Sequence, residues 1–578
     1  MFGIRHYRMF WVFALFMIFL VYYFNSRRSL HSELGPSLTA ELSNELGRGR
    51  LEVSPSEAVP PNVHWSKTSE RFPVRSEIKL PTGKGQKIPR IQHTFPSETE
   101  GKRVEREAKL DVIKSTFQRS WQGYKSRAWM HDELSPISGS FRDPFGGWGA
   151  TLIDTLDTLW MTGLKEEFLE AVDAVNQIDF TTSIRKDIPL FETTIRYLGG
   201  LLGAYDISGA KHNTLLDKAT ELAEILMGAF DTPNRMPITY YYWEPTLSQQ
   251  AQRAKSMVVL AEMGTLSLEF TRLAQLTGNS KYYDAPRGLT SSATTNNDTF
   301  ALAGKSDSVY EYLPKEHLLL GGLQTQYQIM YERAIDVVKR KLIFRPLTKD
   351  NADILVSGSF AFLRRSGNDK QESATFIPHN SHLTCFAGGM MALGAKLFGR
   401  HGDLSVAEKL TDGCVYAYEA TATGVMPEEY FTVPCPSIDH CIWNETLWRE
   451  KLQSTQPSTS RLSHDEYMDA KIRDERLTPG LTEIRRRSYI LRPETIESVF
   501  YLYRITGNER WREKGWKMFQ AIEAATHTRF GNSAIDDVTV ASPKKTDVMQ
   551  SFWTAETLKY FWLLFSHEDV VSLDDYVL

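Results

Sequence analysis

From Lys109 to about Phe565 the apolar residues recur at helical spacing, with interruptions. The best-marked stretch is Leu491–Gly507, in which Ile496, Val499, Phe500 and Tyr503 make one apolar face. Pro493 suits the first helical position, where its missing N–H would be unpaired anyway, and Gly507 suits a left-handed stop. The same punctuation recurs at Met161-Thr162-Gly163, Ile207-Ser208-Gly209, Leu276-Thr277-Gly278 and Leu397-Phe398-Gly399. A second amphipathic helix follows most of these turns, for example Leu215–Phe230, Leu404–Ala420 and Trp511–Ala525. The repeat is too uneven for an open solenoid. Helical hairpins of variable loop length instead predict an all-α chain closed into a ring of helix pairs, an (α/α) barrel. Strand-like runs are few, and the βαβ rhythm of a doubly wound sheet is missing. The polar stretch Ser454 to Arg487 reads as an inserted surface loop.

The N-terminal pattern differs. Met9 to Phe24 carries no charge and is bracketed by Arg5 and Arg8 before and Arg27 and Arg28 after. As a helix this run covers about 24 Å, against about 30 Å for a bilayer core. It ends in Tyr-Tyr-Phe-Asn without a small-residue cleavage site, so it reads as an uncleaved signal anchor. That divides the chain into a cytoplasmic tail (1–8), an anchor (9–24), a flexible Pro/Ser/Gly-rich stem (25–102) and a lumenal body (103–578). Asn297-Asp298-Thr299 and Asn444-Glu445-Thr446 have the form of N-glycosylation acceptors, in keeping with a lumenal body. The four cysteines, Cys385, Cys414, Cys435 and Cys441, allow three pairings, of which the near pairs are the simplest.

Composition narrows the chemistry. The chain has 578 residues, 42% of them hydrophobic, with 67 Lys+Arg against 71 Asp+Glu. That balance lacks the basic excess of a nucleic-acid binder. HExxH, GxSxG, Walker and CxxC motifs are absent. What stands out is a set of acids at helix starts: Glu192 with Arg196 one turn on, Asp307, Glu428 in Pro427-Glu428-Glu429, and Glu494 with Glu497. The plain reading of each is helix capping, and Ser308 with Glu311 even has capping-box spacing. In a closed ring, however, helix starts of one parity gather at one mouth. Converging carboxylates suit glycosidic hydrolysis, in which one acid protonates the leaving oxygen and another activates water. A helix N-terminus favours the ionised form, so Glu494 fits the base, while the residues alone do not name the acid.

Five segments, in order, resemble the class I α-1,2-mannosidases of glycoside hydrolase family 47. They are Phe145–Ala150 running into Leu152–Trp160, Phe191–Ala204, Asp307–Leu313, Leu491–Gly507 and Glu556–Tyr560. The resemblance implies an (α/α)7 barrel and an inverting exo-hydrolase that trims α-1,2-linked mannose from high-mannose N-glycans on glycoproteins. By motif match, Glu192 falls on the proton donor acting through a water, Asp307 on a second catalytic acid, and Glu494 on the general base. Glu428 falls on a further acidic position of the active site. Arg196, His382, Arg492, Glu497, Phe552 and Glu556 fall on positions that contact sugar or order waters around a metal. Cys385 and Cys414 match the family's disulfide. A monomeric type II enzyme of the endoplasmic reticulum or Golgi membrane is implied, with no nucleic-acid partner. A mannose-binding quality-control factor with little hydrolysis is the alternative.

Two positions depart from the family. Endoplasmic-reticulum members have arginine two residues before the catalytic aspartate; Lys305 stands there, keeping charge but losing the planar fork. The family binds one Ca²⁺ through a threonine in an Asn-Thr-Glu segment that follows the match to Ser572–Val577. Leu578 is the last residue of this sequence, so Ca²⁺ is expected from the resemblance with no direct ligand assigned.

Overall fold

The computed structural model describes residues 64–243, 252–255, 258–292, 299–363, 373–457 and 459–578. The Met9–Phe24 run and Asn297 lie outside these residues, and among those described no helix is long and apolar enough to cross a membrane.

Seven helices form an inner ring: Leu156–Met161, Gly199–Ile207, Ser267–Thr277, Asp307–Leu319, Ala387–Leu397, Glu494–Thr506 and Leu558–Phe565. Each packs on the next, and the segment Trp553–Thr557 that leads into the last also packs on the first, closing the ring. Around it lie Lys165–Asn176, Asn213–Met227, Ser280–Ser292, Thr325–Lys341, His401–Glu419, Arg510–Thr526 and Glu100–Arg127, each against its own inner helix. Chain order alternates inner and outer, except that Glu100–Arg127, first in sequence, covers the last inner helix. This is the predicted (α/α)7 barrel.

Burial explains which helices lie inside. Every residue from Thr495 to Ile505 is buried, as is every residue of Ala387–Leu397 except Lys396. A helix apolar on all sides needs protein on all sides. Small residues let the outer helices seat closely on an inner one: a side chain at Gly388 would strike Thr411, and one at Gly394 would strike Tyr331. The glycine stops hold, since Gly163, Gly209, Gly278, Gly399 and Gly507 all take positive φ between 66° and 77°.

The structure alters three expectations. Helix Glu494–Thr506 starts one residue after Pro493, which is its N-cap. The Ser454–Arg487 stretch is not a plain loop. It contains helix His464–Glu475, capped by Ser463 and Glu466, and strand Leu481–Arg486. That strand pairs with Glu429–Thr432, which in turn pairs with His379–Ser381. The alternation of buried Leu481, Thr482 and Ile484 with charged neighbours is short and masked by Arg485–Arg487.

The third change concerns the predicted stem. Helix Glu100–Arg127 begins well before Lys109, and residues 64–99, though irregular, are fastened to the body. Trp65 N–H donates to Thr181 O (2.7 Å), Gln86 N–H to Gly321 O (2.8 Å) and His93 N–H to Arg504 O (2.7 Å). Asp574 accepts from Ile91 N–H (2.6 Å), and buried Arg504 gathers the carbonyls of Leu563 (3.0 Å) and Val570 (3.1 Å). Polar composition hid this because backbone bonds and a few buried side chains, Ile91 above all, hold the segment. Ile91 is fully buried, so Ile91→Ala is expected to cost about 2–5 kcal/mol in denaturant unfolding. A change below about 0.5 kcal/mol, the surface range, would show the segment to be loose.

Candidate active site

Because each inner helix is followed by an outer return, the inner helices run parallel and their N-termini share one end of the barrel. The acids carried there sense one another. Glu262 and Glu133 each lie in the field of Glu192, Asp307 in that of Glu494, and Glu556 in those of Asp154 and Glu494. Asp307 and Glu556 thus lie near Glu494, and Glu192 joins them through Arg196, which it shares with Asp154, a neighbour of Glu556.

Glu494 is the first residue of its helix. Its Oε2 lies 2.9 Å from His382 Nδ1, and Arg492 Nη1 donates to its Oε1 at 3.3 Å. Burial alone would raise this carboxyl, but Arg492 and His382 together hold it below the usual range. His382 Nε2 faces the buried Tyr418 hydroxyl at 2.9 Å. Arg492 also donates through Nε to Glu428 Oε2 (2.5 Å). The sheet described above places both partners, with His382 N–H donating to Glu428 O (2.9 Å). Glu428 Oε1 is buried without a protein donor among the described residues, an acceptor left for a sugar hydroxyl or a water.

Across the mouth, helix Leu190–Glu192 runs into a π-turn, Thr193–Leu198, and a second π-turn spans Trp553–Thr557. Such wide turns concentrate at functional sites. Arg196 Nε donates to Glu192 Oε2 (2.8 Å) and Nη1 to Ser551 Oγ (2.7 Å), whose hydroxyl donates to Asp154 Oδ2 (2.5 Å). The guanidinium also faces the rings of Phe145 (4.7 Å) and Phe552 (5.6 Å). Burial raises Asp154 to about 6 and Glu133 to about 7 although both feel Arg196. One arginine thus serves three carboxylates, so it does not hold Glu192 alone.

Asp307 opens its inner helix, and Ser308 N–H donates to its Oδ1 (3.0 Å). The capping-box alternative fails, because the Ser308 hydroxyl pairs with Thr265 Oγ1 (2.8 Å) instead. Burial, with Glu311 and Glu494 nearby, lifts Asp307 to about 7. Exposed Lys305 precedes it at a positive φ of 80°. Deeper in the bore, Lys315 pairs with Glu311 and lies 3.5 Å from Glu497. Burial and Glu311 drive Glu497 well above the usual range, and burial and Asp154 bring Glu556 to about 8.

Sequence reasoning missed Asp132, Glu133, Asp154, Glu262 and Tyr418. Asp132 has the largest structural reach. Fully buried, its Oδ2 accepts from the N–H groups of Phe145 (3.0 Å), Gly146 (3.2 Å) and Gly147 (3.0 Å). Its Oδ1 accepts from Ala150 N–H (3.1 Å) and the Tyr197 hydroxyl (2.7 Å). The glycine-rich segment is therefore wrapped around the chain's own carboxylate, with Gly147 and Gly149 at φ 72° and 71°. A hydrophobic-pattern search has no means of finding such a hub. Glu262 was findable, since it too lies near a helix start, in Leu260–Gly264. Both disulfides form near pairs, Cys385–Cys414 with Cα atoms 6.0 Å apart and Cys435–Cys441 at 5.5 Å.

A closed ring of helical hairpins with buried carboxylates gathered at its helix starts is the arrangement of an (α/α)-barrel glycoside hydrolase. The chain belongs to glycosyl hydrolase family 47, whose model matches residues 116–299 and 287–578. It is 32% identical over 524 residues to the endoplasmic reticulum mannosyl-oligosaccharide 1,2-alpha-mannosidase of Homo sapiens, covering 86% of this chain and 67% of that protein. It is 30% identical over 579 residues to mannosyl-oligosaccharide alpha-1,2-mannosidase IA of Spodoptera frugiperda, covering 93% and 78%. The solved alpha-1,2-mannosidase from Trichoderma reesei superposes with a TM-score of 0.67 at 30% identity, covering 80% of this chain and 94% of that one.

Arg492 sets the charge of Glu494, so Arg492→Gln is expected to raise that carboxyl. With Glu494 as the expected base, active only above its pKa, the acidic limb of kcat/KM should move to higher pH by about one unit or more. Arg492→Lys, which keeps the charge, should leave the limb nearer its original place. An unmoved limb in Arg492→Gln would show that Arg492 does not tune Glu494.

Proposed function

We propose that the protein is an inverting exo-hydrolase that releases terminal α-1,2-linked mannose from the high-mannose N-glycans of glycoproteins. The family and the activities named for its relatives support this reading. The observation that carries it is Glu494, buried yet held ionised by Arg492 and His382 and facing acids that retain protons. Glu494 would take the proton of a water attacking the anomeric carbon. Glu192, its arginine shared with Asp154 and Glu133, would supply a proton to the leaving oxygen through a second water. Asp307 is a further acid able to hold a proton near neutral pH. Glu428, Arg492, Arg196 and Phe552 would grip the sugar. We also assign the body to the lumen of the endoplasmic reticulum or Golgi, as a monomer anchored by Met9–Phe24.

The test is mannose release from a high-mannose glycan, with the anomer followed by NMR. The expected first product is the β-anomer, and Glu494→Gln is expected to lower kcat by about a hundredfold or more with KM little changed. Glycan binding without any release would favour the mannose-binding alternative. An α-anomer product would exclude inversion.

The donor chemistry also fits a hard cation. Glu311, Glu497 and Glu556 offer only oxygen; burial first, and then neighbouring carboxylates, raise Glu497 and Glu556, and Lys315 lowers Glu497 only in part. No group of three ligating side chains stands ready for a metal among the described residues, so these acids would hold Ca²⁺ largely through waters. When bound, the ion would neutralise charge and orient sugar hydroxyls. Without it, Glu556 stays protonated to about pH 8, against about 4.5 ordinarily. Its contribution to stability is then full at low pH and lost as pH rises through about 8. Chelation should therefore lower Tm more at pH 8.5 than at pH 6. An equal drop at both would remove Ca²⁺ from this cluster.

A further inference from the structure

We propose that Asn444 carries an N-linked oligosaccharide, and that this glycan covers the apolar surface of the preceding disulfide loop. Asn444-Glu445-Thr446 is exposed at all three positions. Asn444 is the N-cap of helix Glu445–Gln453, in extended conformation (φ −134°, ψ 97°), and its Oδ1 accepts from Leu447 N–H at 2.9 Å. That bond fixes the orientation of the amide. With Oδ1 turned to the helix, Nδ2 has no protein acceptor among the described residues and faces solvent. Nδ2 is the atom that bears the sugar, and the attached amide keeps its carbonyl. Modification and capping are therefore compatible at one side chain.

The site is also held in place. Trp443 N–H donates to Asn351 Oδ1 (2.6 Å), and Cys435–Cys441 closes the loop just before it. That loop is the reason for a covering. Ile442, two residues before Asn444, is 64% exposed, the highest value for a large apolar side chain among the described residues, and Ile438 is 42% exposed. A hydrophilic oligosaccharide rooted at Nδ2 would shield both from other molecules.

The transfer is balanced by a co-reactant of known class, an oligosaccharide carried on a polyprenyl diphosphate. The bond between the sugar's anomeric carbon and the phosphate oxygen breaks, the C–Nδ2 bond forms, one amide proton is lost, and the lipid diphosphate leaves with the bonding electrons. The proposal is independent of the catalytic reading, since it needs only passage of the body through the secretory lumen.

The full chain, made in a eukaryotic secretory host, would be deglycosylated by a peptide-N-glycosidase in ¹⁸O water and mapped by mass spectrometry. The expected result is conversion of Asn444 to ¹⁸O-labelled aspartate. Thr446→Ala, which leaves the cap intact, and Asn444→Asp, which keeps a capping oxygen, should each lose one glycan of mass while retaining mannosidase activity. Both should aggregate more readily, and Ile442→Ser added to Thr446→Ala should reverse this. An unlabelled Asn444 in lumenal protein would overturn the proposal. Unchanged solubility in both variants would overturn the shielding role.

Discussion

The site depends on one geometric constraint: inner helices that alternate with outer returns must run parallel. Seven helix N-termini consequently meet at one end, each bringing a partial positive charge that favours nearby acids. Asp307 and Glu494 open two of these helices, and Glu192 and Glu556 lie in the turns that lead into two others. Carboxylates so crowded cannot all ionise, and the protein does not try to pair each with a base. Two arginines and a histidine are placed unevenly among them instead. Arg492 is shared by Glu428 (2.5 Å), Glu494 (3.3 Å) and Asp307, with His382 adding to the hold on Glu494, and Arg196 is shared by Glu192 (2.8 Å), Asp154 and Glu133.

The sharing of Arg196 bears on a question that the residues alone leave open. At ion-pair spacing from Arg196, Glu192 looks permanently charged and unsuited to donate a proton. The spacing is real, with Nε 2.8 Å from Oε2, but the competitors for that arginine come from a distant strand and a neighbouring helix. A reading along one helix does not see the tertiary neighbours that share its cation. Buried Asp307 illustrates the complementary case. Its helix N-terminus favours ionisation, yet burial and two nearby glutamates prevail.

Much of the architecture was legible because it is written in local signals. Glycine stops, helical periodicity and hairpin order fix a ring, and positive φ at Gly163, Gly209, Gly278, Gly399 and Gly507 shows the stops acting as read. Acids at helix starts were equally visible, although what each contributes depends on partners far away in sequence. What stayed hidden has a common physical cause. Asp132 is held by five hydrogen-bond donors, four of them backbone N–H groups, and leaves no trace in hydropathy. Residues 64–99 have the composition of a tether, but their backbone bonds reach residues as remote as Asp574. The strand Leu481–Arg486 is too short and too charged to announce itself.

Two of these hidden features do complementary work. Asp132 ties the Phe145–Ala150 turn to Tyr197 and so fixes the entry to the first inner helices from the mouth side. Phe145, held by that turn, is the ring beneath Arg196, so the hub reaches the site through a single side chain. At the opposite end Arg504, on the same helix as Glu494, gathers carbonyls from 563–570 and the strap at His93. A helix fully surrounded by protein has little freedom except along its axis, and Arg504 removes that freedom at its C-terminal end. The position of Glu494 at the mouth is thus set from both ends of one helix: by Arg492 and His382 at its start, and by a buried arginine about three turns below.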